Sequence, residues 1–163
     1  MRTLVLGLAL LVAISAAAGS RAAEPSSSIS FHRADGSRIA FPGAVRAWCE
    51  RDALYVVTLG RTNQSRWQLS VTRKALVPPR TVLFTWEKAR GITLFIFDAQ
   101  TRNEASESAE GSRGRIVLRR ATCTRGGSLE IAVSALVASE FSDGARIRAS
   151  GVLKTQIGAR PHP

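Results

Sequence analysis

The chain has 163 residues, 45% of them hydrophobic, with 23 Lys+Arg against 12 Asp+Glu, 2 cysteines and 2 histidines. Such length and apolar content exclude global disorder and allow one domain with a real core. The histidine count leaves few ligands for a metal centre, and the basic excess turns attention to anionic partners.

Residues 1–22 read as a secretory signal: Arg2 is the positive start, Leu4 to Ile14 the apolar run, and small residues from Ser15 to Ser20 lead to a cleavage expected after Ala22. The apolar run falls short of the roughly 20 residues that a membrane span needs. No second apolar run follows, so no transmembrane span is expected after cleavage, and the location is expected to be periplasmic or extracellular. Taking away Arg2 and Arg21 leaves 21 basic residues against 12 acidic ones, a net of +9. Only Lys74, Lys88 and Lys154 are lysines. That skew toward arginine fits either an anionic partner or codon usage in a GC-rich genome. Residues 23–28 are a polar leader, 29–155 a β-domain, and 156–163 a tail expected to be disordered.

The β-pattern opens with a hairpin over residues 30–41, turned by Asp35-Gly36. A two-residue loop would put Phe31 and Ile39 on opposite faces. A three-residue loop, Ala34-Asp35-Gly36, instead pairs Phe31 with Ile39 and Ile29 with Phe41 on one buried face. His32 then points outward as a surface residue. In residues 44–50, Val45, Ala47 and Cys49 share one face, and Arg46, Trp48 and Glu50 the other. Trp48 beside Arg46 is a candidate glycan-stacking pair, with burial under a neighbouring loop as the structural alternative. Residues 67–72 alternate with Trp67, Leu69 and Val71 inward. Residues 92–97 are apolar on both faces and are expected to form a central strand covered on both sides. Asp98 to Gly114 is the one long polar segment, expected as a flexible surface loop or one helical turn.

In the strand running to Cys123, Ile116 and Leu118 fall on the opposite parity from the cysteine. Either Val117 is the buried side, or a bulge near residues 119–122 resets the register. Residues 128–137 alternate with Leu129, Ile131, Val133 and Ala135 inward. In the last strand Ile147 and Leu153 go inward while Arg146, Arg148 and Lys154 go outward.

Cys49 and Cys123 are the only cysteines, and in an exported chain they are expected to form one disulfide joining the two halves of the domain. A metal site would need more ligands than His32 and His162 add, and a nucleophilic cysteine would want a histidine partner. No nucleophile elbow, phosphate-binding glycine loop or His-Glu-x-x-His motif is present, and no catalytic residue or cofactor is assigned.

About nine short β-stretches separated by turn signals indicate an all-β antiparallel sandwich or flattened barrel with one disulfide. In architecture this resembles small exported bacterial β-sandwich proteins, with no motif that assigns a family. The expected function is a non-enzymatic binding or envelope-interaction domain with an arginine-rich face. Its ligand-binding candidates are Trp48, Arg46, Arg115, Arg119, Arg120, Arg146 and Arg148, with Arg113 and Arg125 close along the chain. The fitting partners are an anionic glycan, a lipid headgroup or an acidic protein. Nucleic acid is disfavoured, because no interleaved exposed aromatics or nucleic-acid fold is evident. The alternative is a hydrolase of cell-wall or extracellular polymers drawing its carboxylates from Asp98, Glu87 or Glu140.

Overall fold

Period-two alternation builds nearly every element of this chain, and the pairing register then decides which faces meet. The computed structural model describes residues 26–27, 29–59, 61, 63–76, 80–89, 91–141 and 145–161. Its strands are Ser26–Ser27 (β1), Ser30–Arg33 (β2), Ala44–Cys49 (β3), Ala53–Leu59 (β4), Arg66–Thr72 (β5), Arg80–Thr85 (β6), Ile92–Asp98 (β7), Asn103–Ser106 (β8), Arg113–Ala121 (β9), Ser128–Ser139 (β10) and Arg146–Gln156 (β11). The sole helical element among the described residues is a 3-10 turn, Arg73–Ala75.

All strands join one curled antiparallel sheet. β3, β4, β5 and β7 pair in that order as a first layer. β6, β9, β10 and β11 pair in that order as a second layer, with β1 and β2 on the far edge of β11. β8 pairs with β7 on one side and with the last residues of β10 on the other, so it carries the sheet from one layer into the next. At the opposite end, Ala47 of β3 bridges Ile157, just past β11. The result is the expected antiparallel sandwich, flattened from a curled sheet.

The two inner faces share one core: Leu54, Val56, Trp67, Leu69, Leu94 and Ile96 on the first layer belong to the same cluster as Ile116, Leu118, Ile131 and Val133 on the second. Each such side chain contributes about 1.5–3 kcal/mol by leaving water. The β2 turn follows the three-residue register. His32 bridges Arg38, the Ile39 N–H donates to the Phe31 carbonyl at 2.8 Å, and Gly36 takes φ +85°, a region open to glycine. Phe31 then packs edge-on against Phe41, ring centroids 4.7 Å apart.

Cys49 and Cys123 are bonded, Cα–Cα 5.6 Å, closing a separation of 74 residues between β3 and the end of β9. The parity conflict in β9 is resolved by a bulge. Leu118 pairs with Ile131 and Arg120 with Glu130, which leaves Arg119 as the extra residue.

Several expectations are corrected. Eleven strands are present among the described residues, in keeping with the all-β reading; the two-residue β1 and the polar β8 carry no alternation to read. β1 lies within the polar leader and pairs with Leu153 and Lys154. The polar segment 98–114 is a built corner: it contains β8, and Asp98, Ser106, Glu107 and Ser112 are buried. β7 lies between β5 and β8, yet among the described residues no strand layer covers its outer face; the Arg66 guanidinium covers Phe97 at 4.5 Å. The tail is ordered where it begins, since Gln156 belongs to β11, Ile157 is buried, and the Gly158 N–H donates to the Ala47 carbonyl at 2.8 Å. The signal segment 1–22 and His162 lie outside the described residues.

Candidate functional site

The outer face of the second layer gathers arginines from separate strands. β9 buries Ile116 and Leu118, so Arg113 and Arg115 face outward. The register then sets rows across the layer. One row runs Thr85, Arg113, Leu136, Arg148, His32, and the next runs Leu83, Arg115, Ser134, Ser150, Ser30. Arg146 stands opposite Ala138, two residues along β11 from Arg148. Adjacent strands lie about 4.8 Å apart, which puts the backbones of Arg113 and Arg148 about 10 Å from each other across β10. Neither row contains a carboxylate. Among the described residues none of Arg113, Arg115, Arg146 and Arg148 has an ion-pair partner. Shallow concavities indent this face, one of about 550 Å³ between Arg113, Arg115 and Arg148, another of about 540 Å³ beside His32, Arg146 and Arg148.

Arg119 and Arg120 are on the same strand but in a different electrostatic setting. Both flank Glu130: Arg120 is its cross-strand register partner, and Arg119 donates from Nη1 to Glu130 Oε1 at 3.1 Å. Lys154 Nζ approaches the other oxygen at 3.8 Å. This end of the face carries a counter-charge, so the predicted basic cluster divides into a group without ion pairs among the described residues and a group gathered around one carboxylate.

Trp48 and Arg46 lie elsewhere, on the outer face of the first layer. Trp48 stacks on its cross-strand neighbour Tyr55, centroids 5.4 Å apart and planes 14° from parallel. Its Nε1 donates to Glu50 Oε1 at 3.0 Å, and Glu50 in turn pairs with Arg160 at 3.2 Å. Arg46 stands opposite Val57. The indole is half-buried in its own small network and does not adjoin the arginine rows.

The β8 corner holds the carboxylates considered for hydrolysis. Asp98 is clasped by Arg33, Nε to Oδ2 at 2.6 Å. Burial alone would raise the Asp98 carboxyl, but the bonds from Arg33, Thr101 and the Gln100 N–H outweigh it and hold the group below the usual carboxylate range. Glu107, 8% exposed, accepts the Leu94 N–H at 2.8 Å. Burial pushes its carboxyl above the usual range despite that bond, and the Glu140 charge adds to the rise. Glu140 accepts from the Ser106 hydroxyl. Glu87 is exposed on the turn after β6. Glu110, Glu140, Trp86 and Arg146 line a cavity of about 620 Å³. His32 donates from Nδ1 to the Gly36 carbonyl at 3.1 Å within its own turn.

No protein-family model, curated protein or solved structure matches this chain.

Proposed function

We propose that this chain is an exported, non-enzymatic binding domain that docks an anionic partner on the face formed by Arg113, Arg115, Arg146 and Arg148. The observation that carries the reading is the pair of carboxylate-free rows across β6, β9, β10, β11 and β2, which hold Arg113, Arg115 and Arg148, with Arg146 two residues along β11. Four guanidinium groups held on a rigid sheet, with no ion-pair partner among the described residues, attract and fix anions, and Arg geometry suits bidentate contact with phosphate, sulfate or carboxylate. Export is supported by the leader pattern of residues 1–22 and by the Cys49–Cys123 disulfide, which suits an oxidising compartment. No helix among the described residues is long and apolar enough to cross a membrane.

The test is retention on immobilised heparin with increasing salt. Replacing Arg113, Arg115, Arg146 and Arg148 by Gln should lower the eluting salt strongly. A control removes the same charge from exposed positions elsewhere, Arg51, Arg61, Arg73 and Arg125. Equal shifts in both variants would reduce the effect to net charge and end the reading.

A second reading, hydrolysis of cell-wall or extracellular polymers, draws on one observation: Glu110 and Glu140 share the cavity beside Trp86. Release of reducing ends that disappears in Glu140→Gln would favour it, and absence of release from the wild type would remove it.

A further inference from the structure

Large apolar side chains stand exposed at three described positions: Leu83 at 71%, Trp86 at 42% and Phe141 at 75%. Leu83 lies on the arginine face, and Trp86 and Phe141 follow the ends of β6 and β10, the ends that pair with Arg113 and Arg146. Leu83 is the cross-strand neighbour of Arg115. Trp86 follows β6, and its backbone N–H donates at 2.9 Å to the carbonyl of Ser112, the residue just before Arg113. Trp86 also lines one cavity with Arg146 and Glu140. Phe141 directly follows Glu140 at the end of β10.

Resting on the reading above, we infer that the anionic partner is the surface of an anionic phospholipid bilayer, with Leu83, Trp86 and Phe141 entering the headgroup boundary while Arg113, Arg115, Arg146 and Arg148 meet the phosphates. The bilayer interface combines negative charge with an adjacent apolar layer, and this face combines the complements of both. A soluble polyanion would use the arginines and leave Leu83 and Phe141 in water. Trp in particular favours the headgroup level, where its ring is buried and its N–H stays hydrogen-bonded. A second copy of the chain is a poorer occupant, because a two-fold contact would bring each arginine row against its own like charge. The backbone of the face is already paired in the sheet, so docking requires no refolding.

The experiment is co-sedimentation of the disulfide-bonded protein with vesicles of phosphatidylcholine, alone or mixed with phosphatidylglycerol, read beside heparin retention. The wild type should sediment with the mixed vesicles and little with the neutral ones, and salt should weaken the binding. Arg113→Gln, Arg115→Gln and Arg148→Gln together should reduce partitioning on the order of 100-fold. Replacing Leu83, Trp86 and Phe141 by Ser should reduce it roughly tenfold or more while leaving heparin retention unchanged, which also reports an intact fold. Wild-type retention on heparin without sedimentation on the mixed vesicles would overturn the bilayer inference and leave the binding reading standing. Failure of the wild type on heparin and vesicles alike would remove both. Full vesicle binding by the triple Ser variant would also overturn the inference.

Discussion

Arg33 holds Asp98 through two parallel bonds, Nε to Oδ2 at 2.6 Å and Nη2 to Oδ1 at 2.9 Å, joining β2 in the second layer to the end of β7 in the first. The carboxylate also accepts from Thr101 Oγ1 at 2.8 Å and from the Gln100 N–H at 3.2 Å. Its side chain is 1% exposed, so no water replaces a lost partner.

Asp98→Asn should therefore lower stability by about 3 kcal/mol at neutral pH, since it leaves the Arg33 charge without its counter-ion. The pH dependence follows from the depressed carboxyl. The native state holds the ionised form more tightly than the unfolded chain does, so the contribution is full above the ordinary carboxylate range and is lost as pH falls through the native value. Urea unfolding at a series of pH values should show the wild-type advantage narrowing below about pH 4. A gap independent of pH would contradict this account.

The disulfide predicts a second measurement. Cys49 and Cys123 close 74 residues and fasten the end of β3 to the segment after β9. Constraining the unfolded chain over that distance stabilises by about 4 kcal/mol in the chain-entropy model, with a common range of 2–5. Reduction, or the double change of Cys49 and Cys123 to Ser, should shift the urea midpoint accordingly. Free thiols in the unreduced protein, or a midpoint that ignores reductant, would count against the bond.

Gly114 gives a third. It sits between Arg113 and Arg115 on the inner side of β9, and the Phe84 ring lies over it. A Cβ there would stand 2.7 Å from Phe84 Cε1, 2.7 Å from Ala135 Cβ and 2.8 Å from Ala135 Cα. Gly114→Ala should cost about 1–3 kcal/mol by overpacking. Because Ala135 Cα belongs to the backbone, shortening Phe84 to Leu should relieve only part of the clash. A double-mutant cycle on thermal unfolding measures that share, and full stability in Gly114→Ala would refute the close approach.

Much of this fold was legible because burial wrote itself in alternation. Phe31 and Ile39 demanded one face, which selected the three-residue turn, and Gly36 adopts the left-handed region that turn needs. The mismatch between Leu118 and Cys123 left two options, a buried Val117 or a bulge, and the register places a bulge at Arg119. The β8 corner was not legible. Its polar residues bury themselves by bonding inward: Ser112 Oγ donates to the Ser106 carbonyl at 2.7 Å and accepts the Ala138 N–H at 2.8 Å. Composition cannot tell such a segment from a solvated loop. The candidate site was half legible. Outward arginines could be counted along β9 and β11, but the partner that divides them, Glu130, reaches Arg119 only through the β9–β10 register. Trp48 was placed on the correct face, while its stack on Tyr55 needed the β3–β4 pairing.

That division among the arginines makes the last prediction. Arg113→Gln with Arg115→Gln and Arg119→Gln with Arg120→Gln each remove two positive charges, so net charge is matched. The first pair comes from carboxylate-free rows; the second surrounds Glu130, whose oxygens already lie 3.1 Å from Arg119 and 3.8 Å from Lys154. An anion approaching Arg119 must compete with that carboxylate, and near an anionic surface an uncompensated arginine is worth about 1 kcal/mol. Affinity for phosphatidylglycerol vesicles should thus fall roughly 30-fold for the first pair and only a few-fold for the second. Glu130→Gln should act in the opposite sense, releasing Arg119 and Lys154 and raising affinity. If the two double variants lose affinity equally and Glu130→Gln adds nothing beyond its single charge, the arrangement of arginines on the sheet has no bearing on binding.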